Sequence, residues 1–150
     1  MTPEAAVEMG RIGAVAAMGF AAAGSALGTY AAGLGAVGAW KKLLGQGKPA
    51  PFTLFTFVGA PLSQTIYGMI LMITMTGKAD AGYDPWALMG VGIAAGIGIG
   101  ASAYGQGRAG AGCADALAET GQGFSNYLAV IGIVETVAIF VLVFAILALG

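Results

Sequence analysis

The sequence predicts an all-α membrane protein of four transmembrane helices, built as two duplicated hairpins. Three observations carry that reading: a charge-poor composition, four long apolar runs, and an internal repeat. Hydrophobic residues make up 58% of the 150 residues and charged residues 9%, with mean hydropathy +0.86. A soluble domain covers its surface with about 25% charged residues, so lipid is the expected solvent.

The charges punctuate the chain. None occurs from Ile12 to Trp40, from Pro49 to Gly77, or from Pro85 to Gly107, and the run after Glu119 is interrupted only by Glu135. Each run exceeds the roughly 20 residues a helix needs to cross hydrocarbon. Turn residues then set the limits at about 5–44, 52–76, 86–117 and 123–149. Lys48-Pro-Ala-Pro51 closes the first hairpin, Gly77 and Asp80-Ala-Gly-Tyr-Asp-Pro85 form the middle connection, and Gly121 and Gly123 mark the last turn. Helices 1 and 3 are longer than a bilayer requires, so their ends are expected in water.

Sliding the chain by 77 residues sets Ser25-Ala26 on Ser102-Ala103, Gly28 on Gly105, and Ala32-Gly-Leu-Gly35 on Ala109-Gly-Ala-Gly112. The hairpins are therefore assigned to residues 1–77 and 78–150. Glycine is concentrated in helices 1 and 3, with nine between Gly10 and Gly45 and nine between Gly90 and Gly112. In lipid, helices associate by close backbone approach, which small residues permit. Helices 1 and 3 are thus expected to meet neighbours on several sides, with Gly24, Gly28, Gly96, Gly100 and Gly105 at contacts. Helices 2 and 4, carrying Phe52, Phe55, Phe57, Phe140 and Phe144, are expected to face lipid.

The first loop holds Lys41, Lys42 and Lys48 without an acid and should face the cytoplasm. Both termini and the Lys78/Asp80/Asp84 connection then lie outside; Arg108 agrees with this orientation and Arg11 opposes it. A chain opening on Glu4 and Glu8 lacks the basic leader of a cleaved signal, and no soluble domain is expected after Gly150. The protein is expected to be a multi-pass protein of the cell membrane.

Several functions are excluded at this stage. A net charge of -1 argues against a nucleic-acid partner. The absence of histidine removes the commonest metal ligand and general base, and Cys113 reads as a buried packing residue. Gly33-Leu-Gly-Ala-Val-Gly38 and Gly105-Gln-Gly-Arg-Ala-Gly110 match the dinucleotide fingerprint, but each falls inside an apolar helix instead of joining a strand to a helix. Trp40 and Trp86, with Tyr83, read as anchors at the membrane edge.

The remaining polar groups point to one site. Glu135 lies near the centre of the last span, where a carboxylate costs several kcal/mol and needs a partner. No basic side chain is expected at its depth, so the partner is a proton or a cation. Gln64, Ser63 and Tyr67 lie at matching depth on helix 2, at spacings that aim them toward helix 4. Pro61 frees a carbonyl between Phe57 and Ala60, and helix 3 adds Gln106. Hard oxygen ligands with one negative charge suit an alkali cation.

Taken together, Gly24-Ser-Ala-Leu-Gly28, Pro61-Leu-Ser-Gln-Thr-Ile-Tyr-Gly68, Gly105-Gln-Gly-Arg-Ala-Gly110 and Val134-Glu-Thr-Val-Ala-Ile139 resemble the proteolipid, or K subunit, of V-type and A-type rotary ATPases, in its bacterial four-helix form. The resemblance covers essentially the whole chain. It implies a closed ring of identical copies, the membrane rotor, with helices 1 and 3 inside and helices 2 and 4 outside. It also implies a static membrane subunit with half-channels, central-stalk subunits, surrounding lipid, and no enzyme activity in the chain itself. Glu135 maps to the ion carrier, and the sodium-binding set maps to Ser63, Gln64, Gln106 and the Ala60 carbonyl, with Tyr67 fixing the carboxylate and Pro61 supporting it. Ser63 stands where threonine is usual, which keeps the hydroxyl; Ala60 stands where leucine is usual, which keeps the carbonyl. Proton-carrying relatives retain part of this set, so Na+ and H+ both remain open, with Na+ favoured. Helical context puts Leu62 opposite Glu135, giving one ion site for two hairpins and gearing toward ATP-driven pumping. The alternative is a small four-helix cation-coupled secondary transporter. That class usually carries its carboxylate in the first helix, where this chain has no acid beyond Glu8.

Overall fold

The computed structural model describes residues 1–150. Its four helices are α1 (Pro3–Gly45), α2 (Phe52–Asp80), α3 (Pro85–Thr120) and α4 (Phe124–Ala148). At 1.5 Å rise per residue, the 43 residues of α1 reach about 65 Å and the 25 of α4 about 37 Å. All four are long and apolar enough to cross a membrane, and the two glycine-rich helices are the longest of them.

Local chemistry sets the ends. The Thr2 hydroxyl accepts from the Ala5 amide at 3.2 Å and Pro3 opens α1; the Asp84 carboxylate accepts from the Trp86 amide at 2.8 Å and starts α3. Gly121 (φ +66°) and Gly123 (φ +86°) form the left-handed turn between α3 and α4. The expected stop at Gly77 is not found: α2 runs on to Asp80, leaving a shorter connection. Ala79 is buried beside Gly10, and Arg11 of α1 binds the Asp80 carboxylate at 3.0 Å. Tertiary contacts thus hold the last turn helical beyond a glycine that could have ended it.

α1 and α3 run parallel and form the most extensive contact of the bundle; α2 packs mainly on α1, and α4 mainly on α3. Met89, Gly100 and Ala111 each meet the glycine 76 positions earlier, namely Gly13, Gly24 and Gly35. A Cβ at Gly13 would lie 2.7 Å from backbone atoms of Leu88 and Met89, and one at Gly24 would overlap the Gly100 backbone. This contact requires glycine. Gly105 differs from the expectation, because a Cβ there would lie 3.7 Å from Val134, an ordinary contact.

Phe52, Phe55, Phe140 and Phe144 are exposed, as expected of lipid-facing positions, whereas Phe57 is fully buried against Phe124 and Tyr127. Its ring fills the junction of α2 with the α3–α4 turn, a long-range contact that composition does not reveal. Trp86 is exposed at the start of α3. Trp40 instead donates its indole N–H to the Pro51 carbonyl at 2.9 Å and secures the α1–α2 loop. Cys113 is buried.

Gly24→Ala should destabilise the bundle by roughly 1–3 kcal/mol, because the clash is with backbone that cannot move aside. Gly38→Ala, where nothing lies near an added Cβ, should stabilise the helix by about 0.5–1 kcal/mol. Thermal unfolding in detergent distinguishes the two; equal effects would contradict this account of the glycines.

Candidate functional site

Pro61 shapes the site from within α2. Lacking an amide hydrogen, it interrupts the helical ladder, and the helix tightens into a 3-10 turn over Ala60–Leu62 before resuming at Ser63. The turn presents the Ala60 carbonyl beside Ser63: the Ser63 amide bonds to it, and the hydroxyl donates to it at 3.0 Å. The same hydroxyl lies 3.2 Å from Gln64 Oε1. One hydroxyl proton cannot serve both acceptors at once.

Gln64 and Gln106 are fully buried. Gln64 Nε2 donates to Gln106 Oε1 at 2.8 Å, and Gln106 Nε2 reaches both the Ile131 carbonyl (3.1 Å) and Glu135 Oε2 (3.2 Å). The other carboxylate oxygen accepts from the Tyr67 hydroxyl at 2.6 Å. Glu135 is the twelfth residue of the 25 in α4, near the middle of the span, and is half-buried. Ala60, Ser63, Gln64, Gln106, Glu135 and Tyr67 therefore form one connected polar network across α2, α3 and α4.

The network differs from the sequence expectation in two respects. Gln64 bonds to Gln106 on α3 instead of reaching α4 itself, so Gln106 is the link between the glutamine pair and the carboxylate. A basic residue does exist at this depth: Arg108 follows Gln106 by two positions. It lies about 200° around α3, exposed on the opposite face, and hydrogen-bonds Tyr104 at 3.2 Å. The uncharged run ending at Gly107 concealed it, because Gln106 sits nearly at the end of that run.

One supporting residue escaped the sequence reading. Ser102, one turn before Gln106 on the same face, donates to the Val134 carbonyl at 2.8 Å. Its hydroxyl fixes α4 beside the carboxylate; an i, i+4 Ser/Gln pair on a glycine-rich helix was the available signal. No second Asp, Glu, His or Cys joins Glu135 in a cluster able to hold a polyvalent metal. A cavity of about 650 Å³ lies elsewhere, between the α1–α2 loop and the α3–α4 turn, and is lined by Leu43, Lys48, Pro51 and Phe124.

Residues 89–148, most of α3 and all of α4, match the family of the ATP synthase C subunit. No curated protein matches the chain. The matched segment contains Ser102, Gln106 and Glu135 but none of the α2 members of the network. The match and the four-helix membrane bundle fit a subunit of the rotor type in rotary ATPases, and such subunits are non-catalytic membrane components.

Gln106→Ala removes the link between the glutamine pair and Glu135 and leaves the Ile131 carbonyl without its side-chain donor. It should cost roughly 1–3 kcal/mol. Ser102→Ala, which removes one neutral bond, should cost about 1 kcal/mol. Detergent unfolding of both variants checks the order, which would be reversed if Gln106 were a passive filler.

Proposed function

We propose that the chain is the ion-carrying rotor-ring subunit of a V-type or A-type ATPase and that Glu135 carries Na+ across the membrane. The observation behind this reading is the environment of Glu135: a mid-span carboxylate whose two oxygens each accept a hydrogen bond, from Tyr67 and Gln106, while no base contacts it. Such a group is neutralised only by an ion or proton taken up from outside.

The ligand set favours Na+ as cargo. Glu135, Gln64 Oε1, Gln106 Oε1, Ser63 Oγ and the Ala60 carbonyl supply oxygen only, with a single negative charge. Gln106 Oε1 keeps one lone pair after accepting from Gln64. Turning the Ser63 proton toward either of its acceptors leaves the other free to coordinate. A proton alone would need one or two acceptors and gains nothing from the rest. Tyr67 and Pro61 are supporting groups that orient the carboxylate and open the α2 carbonyl.

The narrow range of offsets, 75 to 80 residues, along the parallel α1–α3 contact supports the duplication, with hairpins over residues 1–77 and 78–150. Exposed faces on the glycine-rich helices support packing of identical copies in a closed ring, α1 and α3 innermost. In that ring Glu135 exchanges its ion with half-channels of a static subunit, lipid surrounds α2 and α4, and central-stalk subunits bind the Lys41/Lys42/Lys48 end. The basic loop supports a cytoplasmic position for that end and an external one for both termini.

Sodium and protons should compete for Glu135. Labelling by a carboxyl-reactive carbodiimide, which needs the protonated acid, should slow as Na+ replaces K+ at constant ionic strength, and more Na+ should be needed at lower pH. Gln64→Ala and Gln106→Ala should each weaken this protection, while Ser63→Thr keeps it. Equal protection by Na+ and K+ at both pH values would assign the site to protons. Glu135→Gln should still insert and assemble, with ion transport by the complex reduced to background; retained transport would rule out the carrier role.

A further inference from the structure

We propose that Arg108 of one copy docks on Tyr30 of the adjacent copy, forming an arginine–tyrosine band around the ring at the level of the ion site. The inference rests on the ring reading above. Its starting point is a charge that the chain does not satisfy: Arg108 is exposed about two-thirds of the way along α3, two residues beyond Gln106 of the ion site, and its guanidinium makes one hydrogen bond, to Tyr104. A guanidinium carries five donors. The exposed acids Glu4, Glu8, Asp80, Asp84 and Glu119 lie toward the helix ends, Asp115 lies two turns further along α3 and forms no ion pair with Arg108, and Glu135 lies across α3. Left against hydrocarbon, this cation would cost several kcal/mol, so a partner from outside the chain is required.

A second copy supplies one at the right height. Contacting positions of the parallel α1–α3 pair are 75 to 80 residues apart, which places Tyr30 level with residues 105–110, the stretch that includes Arg108. Copies closed around an axis normal to the membrane share one depth, so the level match carries over to a neighbour. Tyr30 is 65% exposed, on the α1 face turned away from its own α3. On the face of Arg108, α3 exposes Ala101 and Gly112, small enough for another helix to approach. The phenol oxygen can accept from the guanidinium, and the ring face can take its positive charge.

The test uses assembled rings with Cys113 replaced by alanine. Tyr30→Cys combined with Arg108→Cys, treated with a short thiol-to-thiol cross-linker, should give a ladder of multimers on a denaturing gel. Tyr30→Cys with Ile97→Cys, displaced by about 14 Å along the axis, should not. In a double-mutant cycle, Tyr30→Ala and Arg108→Gln should each lower the temperature of ring dissociation by about 5 °C, and the double variant should be no worse than the weaker single. Tyr30→Phe, which keeps the ring face, should retain part of the stability. Intact wild-type rings with no multimer ladder, or strictly additive losses, would overturn the pairing and leave the ring reading standing. A monomeric wild-type protein would overturn both. Loss of phospholipid phosphorus from Arg108→Gln rings of unchanged stability would identify a lipid phosphate as the partner and also overturn the pairing.

Discussion

A carboxylate in the middle of a hydrocarbon span is the constraint on which the rest of this structure depends. Glu135 cannot be solvated by water there, and its one polar neighbour on α4, Thr136, spends its hydroxyl on the Ile133 carbonyl. Its hydrogen-bond donors must come from other helices, at the same depth and on the faces that meet it. Tyr67 from α2 and Gln106 from α3 meet that requirement. Each is itself held in place: Gln106 by Gln64 and the Ile131 carbonyl, and α4 by Ser102. The glycine contact between α1 and α3 is the foundation beneath them, since it fixes the height at which α3 presents Gln106.

Much of this was legible in the sequence because membrane constraints are severe. Twenty or more residues without charge have few alternatives to a spanning helix, and a lone acid within such a run stands out. The break at Pro61 was legible for the same reason, since a missing amide hydrogen has a fixed structural consequence. What could not be read were relationships between helices. The rotation of Gln64 toward Gln106, the burial of Phe57 under Phe124, and the room around Gly105 depend on which faces meet. Counts of glycine and phenylalanine do not encode that. The extension of α2 to Asp80 was missed similarly, because its cause lies with Gly10 and Arg11, about 70 positions earlier in the chain.

Arg108 shows how one-dimensional punctuation can mislead. Charges near the end of an apolar run suggest a membrane boundary, yet α3 continues for twelve residues beyond Arg108, so both Gln106 and Arg108 lie well inside it. Helix rotation separates them: one side chain enters the polar network and the other leaves the bundle. One helix therefore contributes a neutral donor to the carboxylate side and a cation to the opposite side. No ion pair forms between Arg108 and Glu135, so the carboxylate keeps only the neutral donors Tyr67 and Gln106.

The division between stiff and open parts follows from the same packing. α1 and α3 touch backbone to backbone, so neither can slide without overlapping the other, whereas α4 buries few residues and leaves most of its surface available to lipid. Glu135 sits on the more exposed helix, while its amide partners sit on the buried side. An exchangeable site needs this arrangement: partners fixed well enough to select an ion, and a carboxylate on a surface that another protein can approach. If all the ligands lay within the α1–α3 contact, the ion would be held but unreachable. If all lay on α4, there would be no oxygen shell to replace its water. The glycine frame and the half-buried carboxylate are thus parts of one solution, and a change in either alters the other.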